Sequence, residues 1–143
     1  DSIQVSQAGY DLRSSRRHAV LSLWMGNGGA YPFDTPMPFE LLDEDGRAVW
    51  TGEVELFKEA DEPDDDFAGI KPEMAYNVAL APTYGLDFSS FTKPGVYRIH
   101  IPGIGVSFPF AVSDRIWEKA WKISMRGFYS QRAGLEMDLP WAN

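Results

Sequence analysis

The chain has no cysteine and only two histidines. No apolar run approaches the roughly 20 residues needed to span a bilayer. Without cysteine there is no disulfide framework and no thiolate metal site. His18 and His100 sit at or in strand patterns with no second histidine nearby, which argues against a zinc centre or a Ser-His-Asp triad; His100 reads as a strand-face residue. Positive charge is also scarce: 13 Lys and Arg face 21 Asp and Glu, a net charge of −8. A nucleic-acid partner is therefore not expected, because phosphate recognition needs a basic stripe. The longest basic cluster, Arg13 to Arg17, reads as a solvated turn. The start at Asp1 without Met, running into a strand pattern at Ile3, suits a processed secreted protein or a trimmed chain.

What is present fits one domain. The 143 residues allow a single proper core, and 14% of them are aromatic, which suits a β-rich interior or a surface that meets sugars or protein. Ile3, Val5 and Gln7 alternate with polar neighbours before QAGY turns the chain. RHAVLSLW (residues 17–24) is β-branched and aliphatic, as a buried strand should be. GNGG and prolines 32, 36 and 38 mark a long connection. FELLDEDGRAVWTG reads as strand, turn and strand around Asp45-Gly46, with Glu53 to Phe57 extending the second strand. MAYNVALA places Met74, Tyr76, Val78 and Leu80 on one face and predicts another half-buried strand. VYRIHI and VSFPFAV are two more, joined by Pro102-Gly103.

Seven or so short strands in about 112 residues predict an all-β fold, an immunoglobulin-like β-sandwich over residues 1–113. Gly95-Val96-Tyr97 has the form of a tyrosine corner, in which the Tyr hydroxyl ties a strand start to the preceding turn. Ile99 stands where antibody domains carry a cysteine, so the core is expected to be held by aliphatic packing.

The chain then becomes helical. Asp114 is the expected N-cap and Gly134 the expected stop. Glu118, Lys119, Lys122, Arg126 and Ser130 gather on one arc, and Ile116, Trp117, Ala120, Trp121, Ile123, Met125, Gly127 and Phe128 occupy the rest. An apolar arc of roughly 200° is about twice what packing on one surface requires. A sandwich covers one side of such a helix. Either a homodimer or the remainder of a larger fold has to cover the other.

Several stretches resemble glycoside hydrolase family nine, the cellulase family. IQVSQAGYDLRSSRRHAVL is similar to the opening of that family's N-terminal immunoglobulin-like domain. LDFSSFTKPGVYRIHI resembles its D-F-S…G-x-Y segment, and FPFAVSD the strand leading into its catalytic domain. FYSQRAG (residues 128–134) resembles the F-Y-x-Q-R-x-G signature on the first helix of the family's (α/α)6 barrel. Residues 26–38 and 58–72 carry loops without a counterpart. Ser6 replaces the usual Asn, and Ala133 replaces a common Ser or Cys.

The resemblance implies that residues 114–143 are the first helix and following segment of a truncated catalytic domain. Trp117, Trp121, Phe128, Tyr129, Gln131 and Arg132 would then form the domain interface, with the remaining barrel as partner. It also implies an extracellular or periplasmic enzyme that cleaves β-1,4-glucans by inversion, using two carboxylates far enough apart to admit water. The family's D-A-G-D motif does not occur here, so no catalytic residue is carried over, and the chain by itself is expected to be inactive. No cofactor is expected. Asp61, Glu62, Asp64, Asp65 and Asp66 offer oxygens suited to Ca2+, yet they lack EF-hand spacing and read as a solvated loop. Trp24, Tyr31, Phe33, Trp50 and Tyr84 are the candidate sugar-stacking aromatics of a rival reading, a stand-alone carbohydrate-binding module. A dimerising module is the other rival.

Overall fold

A computed structural model describes residues 2–64 and 76–131. Nine strands follow in order: β1 (Ile3–Gln4), β2 (Tyr10–Asp11), β3 (His18–Leu21), β4 (Met37–Leu42), β5 (Ala48–Lys58), β6 (Thr83–Asp87), β7 (Gly95–Ile101), β8 (Gly105–Val106) and β9 (Phe110–Ser113). One helix, α1 (Ile116–Ser130), closes the described chain. Hydrogen bonding runs β1-β3-β6-β5-β4-β7-β9-β2, with β8 beside β7. All pairs are antiparallel except β2 with β9. The sheet curls on itself, so inward residues of both flanks meet in one core, as an immunoglobulin-like sandwich requires.

That core alternates out of each strand: Ala19 and Leu21, Phe39 and Leu41, Tyr84 and Leu86, Tyr97, Ile99 and Ile101, Phe110 and Val112 are all buried. It is not the aliphatic core expected. Edge-on ring contacts run Tyr10–Phe88 at 4.8 Å and Tyr10–Phe110 at 5.1 Å, with Phe91–Tyr97 at 4.9 Å. Without a disulfide, the Tyr10–Phe88 and Phe91–Tyr97 pairs join the two flanks, each adding about 0.5–1.5 kcal/mol beyond burial.

The hairpin forms at Asp43–Arg47, where only Gly46 takes the left-handed conformation (φ 78°), and the register shifts between Leu41 and Leu42. The tyrosine corner is present: the Tyr97 hydroxyl donates to the Pro94 carbonyl at 3.2 Å. VSFPFAV is not one strand. Its break falls at buried Ser107, whose Oγ accepts the Ile99 N–H at 2.9 Å and donates to the Phe108 carbonyl at 2.8 Å. The hydroxyl replaces a missing ladder bond, so β7 pairs β8 with its end and β9 with its start.

MAYNVALA is a correction. Tyr76, Val78 and Leu80 are exposed, and the polar residue between them, Asn77, is buried. Its side-chain N–H groups donate to the Glu59 and Ala81 carbonyls, and its Oδ1 accepts the Ala79 N–H. Asn77 therefore satisfies a turn that no ladder reaches. Met74 lies outside the described residues. The strand is instead β6, where Tyr84, Leu86 and then Phe88 point inward.

The basic turn is a second correction. Arg13 and Arg16 are exposed, but Arg17 is only 3% exposed. Its Nη1 donates to the carbonyls of Leu12 at 3.2 Å and Ser14 at 2.6 Å, with a longer contact to Asp11 at 3.4 Å. Its Nη2 donates to the carbonyls of Ser89 and Phe91. One guanidinium thus ties the β2–β3 turn to the segment after β6.

Removing that fork strands the buried Phe91 carbonyl and three part-buried ones, and a stranded buried acceptor costs about 1–3 kcal/mol. Arg17→Ala is expected to lose ~3 kcal/mol or more in urea unfolding, and Arg17→Lys less, since an ammonium cannot span both turns. An unchanged midpoint for Arg17→Ala would refute the assignment. Tyr97→Phe removes one hydrogen bond and is expected to cost ~1 kcal/mol in the same assay.

Candidate functional site

The candidate site is built on α1, which follows β9 through a two-residue turn. Asp114 does not cap it. The N-cap is Arg115, with no side-chain bond to the helix, and the Arg115 N–H is held by Ser113 Oγ at 3.1 Å. The cap moves by one residue because Asp114 lies in the turn itself. Gly134, the expected stop, lies outside the described residues. At the other end the Gln131 N–H bonds the Gly127 carbonyl at 3.1 Å.

Contact with the sandwich centres on β2 and β9. Gly9, at φ 95°, lets Ile116 come down onto the backbone; any Cβ there would run into the Ile116 side chain. Beyond this first turn the helix leaves the sheet, and every residue from Trp121 to Tyr129 is exposed. At about 100° per residue, Trp117, Trp121 and Phe128 fall within about 40° of one another. Ile116 and Ile123 lie on a different face, and Glu118 and Lys122 occupy the polar arc. Glu118 and Lys122 pair at 2.6 Å, and the Lys122 ammonium holds the Glu118 carboxyl below its ordinary value.

Trp121 is 63% exposed and Phe128 67%, with Trp117 and Tyr129 also open to solvent. Gln131 is exposed, and Arg132 lies outside the described residues. Burying a side chain of this size contributes about 1.5–3 kcal/mol. A contiguous exposed stripe of three large aromatics is unusual for a protein exterior.

Of the aromatic set proposed for sugars, Tyr31, Phe33 and Tyr84 are brought together, edge to face at 5.0 and 5.6 Å, while Trp24 and Trp50 lie apart from them. Trp24 faces Ala30 in an isolated bridge, so Tyr31 emerges on the opposite face of that ribbon. Tyr84 is buried, its hydroxyl accepting the Phe33 N–H at 2.8 Å. Trp50 packs between Phe39 and Phe91, inside the sandwich. In the acidic loop Asp64 is already engaged, with one oxygen on Lys58 Nζ and the other accepting the Val78 N–H. These bonds, Lys58 first, hold its carboxyl below the usual range. Asp65 and Asp66 lie outside the described residues, and among the described ones no cluster of three potential ligands occurs. His18 is exposed in β3; His100 Nδ1 lies 2.9 Å from Glu40 Oε2 across β4 and β7. No helix among the described residues is long and apolar enough to cross a membrane.

One surface escaped the sequence reading. A recess of about 880 Å3 lies over the outer face of β3, β6 and β5, floored at Gly85 and edged by Phe57, Glu55, Glu53, His18 and Asp87. Its only signal was the i, i+2, i+4 spacing of Glu53, Glu55 and Phe57, which a solvated strand face shares.

With this geometry in place, comparison with known proteins is informative. Residues 1–106 match the family described as the cellulase N-terminal ig-like domain. Endoglucanase D of Acetivibrio thermocellus is 30% identical over 96 residues, which is 67% of this chain and 13% of that enzyme. The chain thus spans only a small part of the relatives it matches. A metagenome-derived glycoside hydrolase family 9 endoglucanase superposes with a TM-score of 0.66 at 28% identity, covering 96% of this chain and 22% of that one. A Bacteroides ovatus GH9 structure shares the fold, with a TM-score of 0.58 at 20% identity over 91% of this chain and 19% of its own. The chain belongs to the cellulase N-terminal immunoglobulin-like domain family.

Proposed function

We propose that this chain is the accessory module of a larger secreted glycoside hydrolase, a polysaccharide-degrading enzyme acting on β-1,4-glucans by inversion. Residues 1–113 are the sandwich, and residues 114–143 begin the catalytic domain. The module's work is mechanical: it packs on the barrel and stabilises it. The observation that carries this reading is the exposed Trp117/Trp121/Phe128 stripe on a helix whose first turn seats Ile116 against Gly9. The remainder of a catalytic barrel supplies the missing cover, and the short share of Endoglucanase D that this chain spans agrees with that. That the relatives are cellulases and endoglucanases suggests the substrate class, and no described residue is assigned to catalysis.

The chain alone is expected to release no reducing sugar from carboxymethylcellulose; turnover that survives rigorous purification would overturn the reading. The interface has its own test. In the isolated chain Trp121→Asp should shift unfolding by less than about 0.5 kcal/mol, because the side chain is exposed. In the larger enzyme the same change should cost ~3 kcal/mol or more, as a charge replacing a buried Trp does. Equal, small effects in both would show that the stripe has no cover. Should the stripe instead dimerise, sedimentation of the isolated chain would give a concentration-dependent dimer that Trp121→Asp abolishes.

A further inference from the structure

The ribbon that carries Trp24 and Tyr31 holds a chemistry of its own. Between its two arms the chain makes one tight turn at Gly26–Gly28, and no residue of that turn is buried. Asn27 stands at its middle, exposed, and its carboxamide has no hydrogen-bond partner among the described residues. Gly28 follows. Among the described residues a Cβ there would meet only the Met25 side chain, itself half exposed, so no bulky group screens the Gly28 nitrogen.

One hydrogen bond guards that nitrogen: the Gly28 N–H donates to the Met25 carbonyl at 3.1 Å. The turn it closes is flanked by Gly26 and Gly29, both at positive φ. Glycines regain the most conformational freedom when such a turn opens, and exposed turns with few packed atoms open at little cost. Asn77 is the contrast. It is 4% exposed, its side-chain N–H groups donate to the Glu59 and Ala81 carbonyls, and its Oδ1 accepts the Ala79 N–H. The next residue is Val78, whose branched side chain crowds its own nitrogen. That N–H is also held by Asp64 Oδ2 at 2.8 Å.

We propose that Asn27–Gly28 is a site of spontaneous backbone modification, at which the chain converts its own asparagine with water as the only co-reactant. The Gly28 nitrogen loses its proton to solvent and attacks Asn27 Cγ. A C–N bond forms, the side-chain nitrogen leaves as ammonia, and a cyclic succinimide remains. Water then opens the ring. Breaking the new bond at Cγ gives an ordinary aspartyl residue, and breaking the bond at the main-chain carbonyl gives an isoaspartyl residue. In sum a water is consumed and an ammonia released, with no change of oxidation state. The isoaspartyl product routes the main chain through the former side chain and lengthens it by a carbon. The bond from Met25 N–H to the Gly29 carbonyl, at 2.8 Å, and the Trp24–Ala30 bridge depend on the original spacing, so both are lost. Nothing in this chemistry depends on what covers α1.

The test holds the folded 143-residue chain in a mildly alkaline, ammonia-free buffer, with the urea-unfolded chain as reference. Peptide mass mapping and enzymatic methyl labelling of isoaspartyl groups follow both asparagines. The Asn27 peptide is expected to convert in the folded chain, with release of ammonia, while the Asn77 peptide stays intact. Asn27→Gln should end the reaction, since closure then needs a larger ring. Gly28→Val should slow it at least about tenfold, a barrier increase of ~1.4 kcal/mol. Both positions are exposed, so these variants are expected to fold. The Met25 N–H should lose its hydrogen-exchange protection in the isoaspartyl product and keep it in freshly prepared Asn27→Asp, which adds the charge without lengthening the chain. Survival of Asn27 in the folded chain over a time that converts it in urea would overturn the proposal, by showing that the Met25 bond protects it. Conversion of Asn77 at the same rate would overturn it too, as would an unchanged rate in Gly28→Val.

Discussion

The sandwich depends on one buried cation. Arg17 sits where β3 begins, and its guanidinium gathers carbonyls from the β2–β3 turn and from the segment leading into β7. These carbonyls belong to loops, which have no ladder to satisfy them. The positive charge is solvated by peptide dipoles instead of a carboxylate; Asp11, the nearest acid in sequence, is paired outward with Arg13 at 2.7 Å. Arg13 holds the Asp11 carboxyl below its usual range, so that pair stays ionic at neutral pH. A fork with five donors reaches two turns at once, which no other side chain does. The bond from Phe88 N–H to the Arg17 carbonyl and that from Arg17 N–H to Ser89 Oγ complete the join. Phe88 and Phe91 are thereby fixed where the aromatic core needs them.

From that join the molecule divides its labour. The inward face carries aromatic and aliphatic packing between the two flanks of the curled sheet. The Ser107 hydroxyl lets β7 hand over from one partner to another without leaving a buried N–H unpaired. At the β2 and β9 flank, Gly9 admits Ile116, and α1 departs with its aromatic stripe unused. The flank that carries the recess is the other one.

Much of this was legible in the sequence, and the reasons are physical. Strands with clean period-two patterns, such as HAVL and VYRIHI, emerged where expected, as did the Gly46 hairpin and the Tyr97 corner. The helix was readable because its apolar arc was too wide for one surface, and its FYSQRAG run resembled a family signature. What failed were positions where a residue's ordinary preference was overridden by partners distant in sequence. Arg17 looked solvated because its acceptors at Ser89 and Phe91 lie more than seventy positions away. Asn77 looked like the polar side of a strand, yet its amide has three backbone partners in a turn. In β6 the inward residues Tyr84 and Leu86 alternate with Gly85, which has low strand preference, so the segment carries a weak strand pattern. The recess over Gly85 could not be read at all, since an empty space has no side chain to announce it.

The strand order has one more consequence. The sheet ends on β1 and β2, and β8 lies off the main path; each is only two residues long. A neighbouring molecule seeking main-chain hydrogen bonds along those borders finds almost nothing to continue, so cross-molecular strand pairing is suppressed by geometry. One of those short borders, β2, is moreover the strand on which α1 is seated, so the helix itself guards that end of the sheet.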